Sequence, residues 1–390
     1  MKIAGTRQLQ RWPQGLALLP TGELLLQSLS LEGLWLDAFD ADLRALWTRA
    51  LGEEALGITV DHRGVPWVID RAGASAISSR GDVELRREAP PQPGMEVCAL
   101  TCANDDLVFA YQHPWRLQPM FLRTPPTPPR LVCLRSTGSS RWSTELMTQS
   151  VRFNVEASTQ ELHHSPLSPP QNWICGYIQA GVLTVSGNKL LAVYSDMPRS
   201  GIAIGYVVSL IDGTLRYVTN AGPIHEVAAH RGGFLIGYQG YGAFNTLFYD
   251  ERGRVQGRWP SHGRYVTYGE DIRVIESGNA NYAPARLARL RMEGSVERGD
   301  LADGLETSRP YVHDDGTLYF ARDGCMVAAR DLSIEGQVRI HQSTDDDKVR
   351  HWHLVGAGNR LFTTFTSSTK PTTPLEGFED SSAYLVRLDL

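Results

Sequence analysis

A degenerate unit of about fifty residues recurs from one end of this chain to the other, and that repetition leaves few folds open. Each copy reads as four short apolar runs separated by turn residues. The clearest copy covers residues 180–221, with runs at 181–185, 189–194, 205–211 and 214–219. Ser186-Gly187-Asn188 separates the first two runs and Asp212-Gly213 the last two. Gly-Asn and Asp-Gly tolerate the positive φ of tight hairpin turns, so each pair of runs reads as a hairpin.

The same punctuation returns along the chain. The first turn reappears as Thr21-Gly22, Arg63-Gly64, Asn104-Asp105, Gly232-Gly233, Glu270-Asp271, Asp315-Gly316 and Gly358-Asn359. The second reappears as Arg80-Gly81, Thr137-Gly138, Arg252-Gly253, Glu293-Gly294 and Glu335-Gly336, with Asp40-Ala41-Asp42 as a weaker copy. Short β-runs at this period predict an all-β chain forming a single β-propeller over residues 1–390. First strands begin near Leu16, Gly57, Val97, Val182, Val227, Tyr265, Pro310 and His353, which makes eight four-stranded blades. The number falls to seven if the degenerate unit at 264–301 is not a blade. The last unit supplies only three strands, while residues 1–12 carry a strand-like segment with no unit of its own. That segment is expected to join the last blade as its outer strand, closing the ring and removing its open edge.

A chain of 390 residues is long for one ordinary core, but propeller blades bury themselves against their neighbours. The net charge of −5, from 38 basic and 43 acidic residues, gives no reason to expect nucleic acid or an anionic membrane as partner. Arg80, Arg86 and Arg87, and Arg286, Arg289 and Arg291, read as solvated blade edges. Cys98, Cys102, Cys133, Cys175 and Cys325 show no metal-type spacing. Their odd number and apolar surroundings suggest reduced thiols and a cytoplasmic setting. No stretch approaches the roughly 18 apolar residues of a spanning helix, and the first residues lack the apolar run of a signal peptide.

Several passages from third to fourth strand resemble the repeat of quinoprotein-like (PQQ-like) propellers, in which an apolar strand and a Thr-Gly-type turn precede a Trp. Leu131-Val132-Cys133-Leu134-Arg135-Ser136-Thr137-Gly138-Ser139-Ser140-Arg141-Trp142 is the best match. Leu36-Asp37-Ala38 running on to Trp47, and Leu247-Phe248-Tyr249-Asp250 running on to Trp259, are weaker copies. The resemblance implies architecture and little about activity. Quinone-binding members stack their cofactor on adjacent cysteines, and no two cysteines are adjacent here. The Gly-His and Trp-Asp dipeptides of WD-type repeats are missing as well. No cofactor is expected, although a divalent metal has candidate ligands.

In an antiparallel four-stranded blade, the 1–2 and 3–4 turns share one end. The 2–3 connection and the crossing to the next blade share the other. The sequence puts every tight turn at the first end. It puts the long segments 112–130, 148–178, 195–204, 239–245, 277–284 and 366–382 at the second, which reads as a recognition surface. Trp115, Tyr241, Phe244, Asn245, Asn279, Asn281 and Tyr282 lie in those segments, and such residues bind partners or planar ligands by stacking and fixed hydrogen bonds. They also occur in ordinary ordered loops. A protein or peptide partner on this face is therefore the leading expectation, with oligomeric state left open.

The alternative is a small-ligand site, or a metal-assisted lyase or hydrolase, at the mouth of the central channel. His351 and His353 would share one side of a strand, with His225 and Glu226 in an equivalent place in the fifth blade. The competing reading makes them structural histidines packed between blades. His163 and His164 would need further ligands to hold a metal, and otherwise are two loop histidines. Pro125-Pro126-Thr127-Pro128-Pro129 is a stiff spacer or a ligand for a proline-reading domain. Asp345-Asp346-Asp347-Lys348 lacks the glycine and spaced oxygens of a calcium loop and reads as a solvated turn. The glycine-flanked residues 200–205 precede no helix that would make them an anion site. No Gly-x-Ser-x-Gly elbow, phosphate loop or His-Glu-x-x-His motif occurs.

Overall fold

The second strand of most repeats is apolar almost without interruption because both of its faces are covered. In the fourth repeat, Leu190, Ala192 and Tyr194 pack with Val108, Ala110, Leu131 and Cys133 of the preceding repeat. Leu191 and Val193 turn the other way and meet Phe234, Ile236 and Leu247 of the following one. A strand buried on both sides has no reason to alternate apolar with polar. Each large side chain buried in this way contributes roughly 1.5–3 kcal/mol.

The computed structural model describes residues 1–52, 55–112, 129–146, 151–152, 163–164, 177–195, 203–219, 224–240, 243–261, 263–276, 286–301, 310–341, 348–368 and 381–390. They form eight four-stranded antiparallel sheets, the blades of a β-propeller, and one two-stranded ladder, Val151–Arg152 with His163–His164. No helix occurs among them. Blade 1 begins at Trp12–Leu18, blade 2 at Ala55–Val60, blade 3 at Glu96–Ala103 and blade 4 at Tyr177–Ser186. Blades 5 to 8 begin at Ile224–His230, Gly263–Tyr268, Tyr311–Val312 and Lys348–Ala357. The degenerate sixth unit is a true blade, and its fourth strand is Val296–Leu301. Lys2–Leu9 pairs antiparallel with Ser381–Asp389 as the outer strand of blade 8. Trp12 starts blade 1 rather than ending this closing strand.

The chain divides into two compact units. The first holds blades 1, 6, 7 and 8, and the second holds blades 3, 4 and 5, with blade 2 shared. In the first unit, Phe362 and Leu385 of blade 8 pack with Leu24, Leu26 and Phe39 of blade 1. Ile275 and Leu287 of blade 6 pack with Phe320 and Val327 of blade 7. In the second unit, the blade 3–4 and 4–5 interfaces are those already given.

The turns are built by one recurring device. Asp40 Oδ1 accepts the amides of Asp42 and Arg44, and Asp61 Oδ1 those of Arg63 and Val65. Asp250 Oδ1 does the same for Arg252 and Arg254, and Ser78 Oγ for Arg80 and Asp82. A short side-chain acceptor two and four residues before the amides it binds fixes the turn locally.

The preceding blade then caps these turns. Trp47 Nε1 donates to the Ser79 carbonyl at 2.8 Å, and Trp142 Nε1 to that of Leu210 at 3.0 Å. Tyr217 donates to Asp250 O at 3.2 Å, Arg87 to Ser136 O, and Arg387 Nη1 to Ala41 O at 3.0 Å. The Trp142 ring lies so close to Gly213 (φ +75°) that a Cβ there would stand 2.8 Å from it. Gly81 (φ +85°) meets Trp47 in the same way, at 2.9 Å. Trp259 breaks the pattern. It sits two residues further along its strand, fully buried, and its ring covers Gly257 of its own blade.

Two sequence expectations about turns are corrected. In blade 7 the 3–4 turn is Asp331-Leu332 (φ +46° and +70°), and Glu335-Gly336 lies inside the fourth strand, Ser333–Arg339. A left-handed leucine is unfavourable, and tertiary contacts hold this one. Its carbonyl accepts the Asp300 amide at 2.9 Å, and its side chain packs into the blade 6–7 core. Tight turns also occur at the other end, between the second and third strands of blade 1 (Leu31-Glu32), blade 2 (Arg71-Ala72) and blade 7 (Asp323-Gly324).

Candidate functional site

Blade 3 shows how the long segments are rooted. Its second strand, Asp106–Gln112, and third strand, Arg130–Leu134, enclose a connection of which residues 113–128 lie outside the described part. The stems are tied. Tyr111 is buried, donates its hydroxyl to Pro90 O at 2.8 Å, and has its phenol pKa pushed up by that burial. Arg130 Nη1 donates to Gln92 Oε1 and its Nη2 to Glu145 Oε2, both at 3.0 Å. Gln112 Nε2 donates to Glu96 Oε1 at 3.4 Å, and Arg71 faces Glu96 at 3.8 Å. The Leu146 amide bonds Pro129 O at 2.8 Å, so the start of the blade 3–4 crossing is fastened to the same stem.

This network lies between the Pro-rich crossing at residues 89–95 and the roots of the two longest connections. Arg71, Arg130 and Glu145 remain partly exposed within it. It can hold a presented loop and offer charges of both signs. Sequence reasoning missed Tyr111, Gln92, Arg130 and Glu96, because their grouping depends on strand register and on the path of the crossing. Pro90-Pro91-Gln92-Pro93-Gly94 was the available signal.

The sequence-predicted residues fall as follows. Trp115, Tyr241, Asn279, Asn281, Tyr282, most of the proline run and Asp345-Asp346-Asp347 lie outside the described residues. Asn245 belongs to a strand rather than a loop. It pairs with Tyr238, and the ladder runs on to Gly240 opposite Ala243. The ladders likewise extend to Ser195 opposite Ala203 and Ser368 opposite Ser381, so these connections are shorter than expected. His163 and His164 stand in the two-residue ladder opposite Arg152 and Val151.

The innermost strand of several blades carries a register shift near its start. In blade 5 it falls between Ile224 and Glu226, leaving His225 out of the ladder. In blade 8 it falls between His351 and His353. His351 then pairs with Phe365 and His353 with Thr364, which are consecutive residues of the partner strand. One extra residue, Trp352, therefore stands between them without a partner in the ladder. Similar shifts occur at Pro13/Gly15 in blade 1 and Val97/Ala99 in blade 3. His225 and Glu226 belong to one compact unit, His351 and His353 to the other.

Among the described residues, no group of three or more His, Cys, Asp or Glu side chains is gathered as for a metal. Cys98, Cys102, Cys133 and Cys325 are in no disulfide. Burial, reinforced by the Asp106 carboxylate, pushes the Cys133 thiol up to about 12, far from a reactive thiolate. Arg86 pairs with Asp70 at 2.8 Å and is partly exposed, whereas Arg289, paired with Asp331 at 3.1 Å, is mostly buried rather than solvated.

No protein-family model and no curated sequence matches this chain. Among solved structures, a eukaryotic initiation factor is similar at 11% identity and TM-score 0.51, over 84% of this chain and 78% of that one. Virginiamycin B lyase from Staphylococcus aureus is similar at 10% identity and TM-score 0.45, over 98% and 99% of the two chains. The Pan2 WD40 domain from Neurospora crassa is similar at 8% identity and TM-score 0.46, over 99% and 96%. The first supports a shared fold; the other two are more distant, and none speaks to activity.

Proposed function

We propose that this chain is a cytoplasmic protein-interaction module that binds a protein or peptide partner at the loop-bearing ends of its blades, centred on blade 3. One observation carries the reading. Tyr111 and Arg130 fix the stems of the longest connections, while the opposite turns spend their carbonyls on the preceding blade. A surface that presents long segments from rigid stems reduces the ordering entropy of binding. Cysteines held outside any disulfide suit a reducing compartment. Trp47 and Trp142, two of the tryptophans that end the quinoprotein-like passages, dock on the turns of the following blade. Alanine replacement of Trp115, Tyr241 and Tyr282 should abolish co-purification of a partner and leave the melting temperature unchanged. Retention of the complex in the triple variant would defeat this reading.

The strand shifts that set His225 and Trp352 outside their ladders favour a second reading, since such bulges re-aim residues at rims and sites. A small ligand or metal would then engage His225, Glu226, His351 or His353. Native mass spectrometry tests it: a mass excess lost on denaturation, and absent from His225→Ala and His351→Ala, is the expected result. Wild-type protein with no excess mass counts against it.

A further inference from the structure

The outer strand of blade 8 reaches its place differently from the outer strands of the other blades. Those follow their own third strands through short turns, as Ser333–Arg339 follows Cys325–Arg330. Lys2–Leu9 instead pairs with Ser381–Asp389, from Lys2 opposite Asp389 to Leu9 opposite Ala383, and its ladder is interrupted between Ile3 and Gly5. None of its eight residues is buried. Beneath it, Leu385, Val386 and Leu388 are fully buried.

Only three of its positions, Gly5, Arg7 and Leu9, are even half-buried. A Cβ on Gly5 would stand 3.5 Å from Leu43 Cδ1. Arg7 Nη1 donates to Leu43 O at 2.8 Å, and its guanidinium lies 5.0 Å from the centre of the Phe39 ring. Leu9 packs against the core of Leu24, Leu26 and Phe362. The remaining attachment is main-chain pairing, which any extended chain can supply.

We propose that Lys2–Leu9 is a displaceable latch, and that the edge of Ser381–Asp389 accepts in its place an extended peptide with a small, a basic and an apolar residue at alternate positions. Ser333–Arg339 is no better buried but is held by a hairpin, and an exposed strand without that tether belongs to the part of a structure that opens most easily. Its departure uncovers a sheet edge of high β-propensity, the kind of edge that captures another strand. This surface is separate from the loop-bearing ends and does not depend on what they bind.

The test uses the full chain and a labelled synthetic peptide with the sequence of residues 2–9. Saturable binding by fluorescence anisotropy is expected, at least tenfold tighter than for a scrambled peptide and weakened at least fivefold by alanine at the position of Arg7. Joining the chain's own strand to its neighbour by a disulfide, in Lys2→Cys with Asp389→Cys, should abolish binding, and reduction should restore it. Hydrogen exchange on the unmodified chain gives a second readout. The amides of residues 5–9 should exchange at least tenfold faster than those of Ser333–Arg339. Binding no better than scrambled, undiminished binding to the oxidised variant, or equal exchange in the two outer strands would each overturn the proposal.

Discussion

The two ends of a blade follow different rules. At the end carrying the 1–2 and 3–4 turns, acceptor side chains fix several turns and the preceding blade takes up carbonyls of several 3–4 turns, as Trp142 does for Leu210. At the other end, the 2–3 connection is two residues long in blades 1, 2 and 7, while residues 113–129 separate the paired strands of blade 3. A turn that also serves as the docking surface of a neighbour cannot change length without breaking that contact. A connection with no such duty can grow, because loop closure entropy rises only slowly with length. The asymmetry therefore has a mechanical cause, and it leaves the connections at one end free to vary in length.

The largest effect should come from removing a docking side chain. Trp142→Ala empties a buried site and strips the cap from Leu210, and should destabilise by about 3–5 kcal/mol in urea unfolding. Trp142→Phe, which loses chiefly the hydrogen bond, should lose only about 1 kcal/mol. If the two variants were equally stable, the docking account would be wrong.

Next come two glycines of blade 4 at the same end. Gly213 has φ +75° and the Trp142 ring against it, whereas Gly187 has φ +59° with open space around it. Gly213→Ala should cost about 2–4 kcal/mol and Gly187→Ala about 1 kcal/mol, the second being backbone strain alone. Equal costs would mean that turn conformation, and not docking, limits this end.

Acid should loosen the same end in two stages. Burial, with Arg231 nearby, lowers the pKa of His230 below its ordinary 6.5. The unfolded chain then takes up a proton that the folded one refuses, so stability declines as pH falls below about 6.5. His230→Leu should flatten thermal melts between pH 8 and 5. Asp212 is held at about 2 by the Ser209 hydroxyl and the Thr214 amide and hydroxyl. Asp315 is also held at about 2, by the Thr317 amide and His313. For Asp250, burial opposes the shift, but the amides of Arg254 and Arg252 outweigh it and lower the value. These depressed carboxylates contribute stability that is fully present above their ordinary value of 3.8, and it is lost as pH falls towards 2. Asp212→Asn should blunt that second decline.

The smallest change is expected at the loop-bearing end. Replacing residues 113–128 with a short Gly-Ser linker should alter unfolding free energy by no more than about 1 kcal/mol, because Tyr111 and Arg130 anchor the stems independently. A large loss of stability would show that the segment is part of the fold and not an addition to it.

The repeat made the fold legible. Turn residues such as Asp212-Gly213 act over four residues, and a strand such as Leu190–Tyr194 declares burial on both faces through composition alone. The eight blades and the strand that completes the last one follow from these local signals and from counting. Tertiary structure decided what local chemistry leaves open. Leu332 occupies a left-handed turn because blade 6 receives its carbonyl and side chain, which no turn propensity anticipates. One extra residue at Trp352 sets His351 and His353 opposite consecutive partners, a matter of pairing register. Asn245 is strand because the ladder runs on past it. Tyr111, Gln92 and Arg130 come together because separate chain segments meet at one stem. A short-range pattern can specify which residues turn and which are buried. It cannot specify which distant groups meet, because that depends on register and on the neighbouring blade.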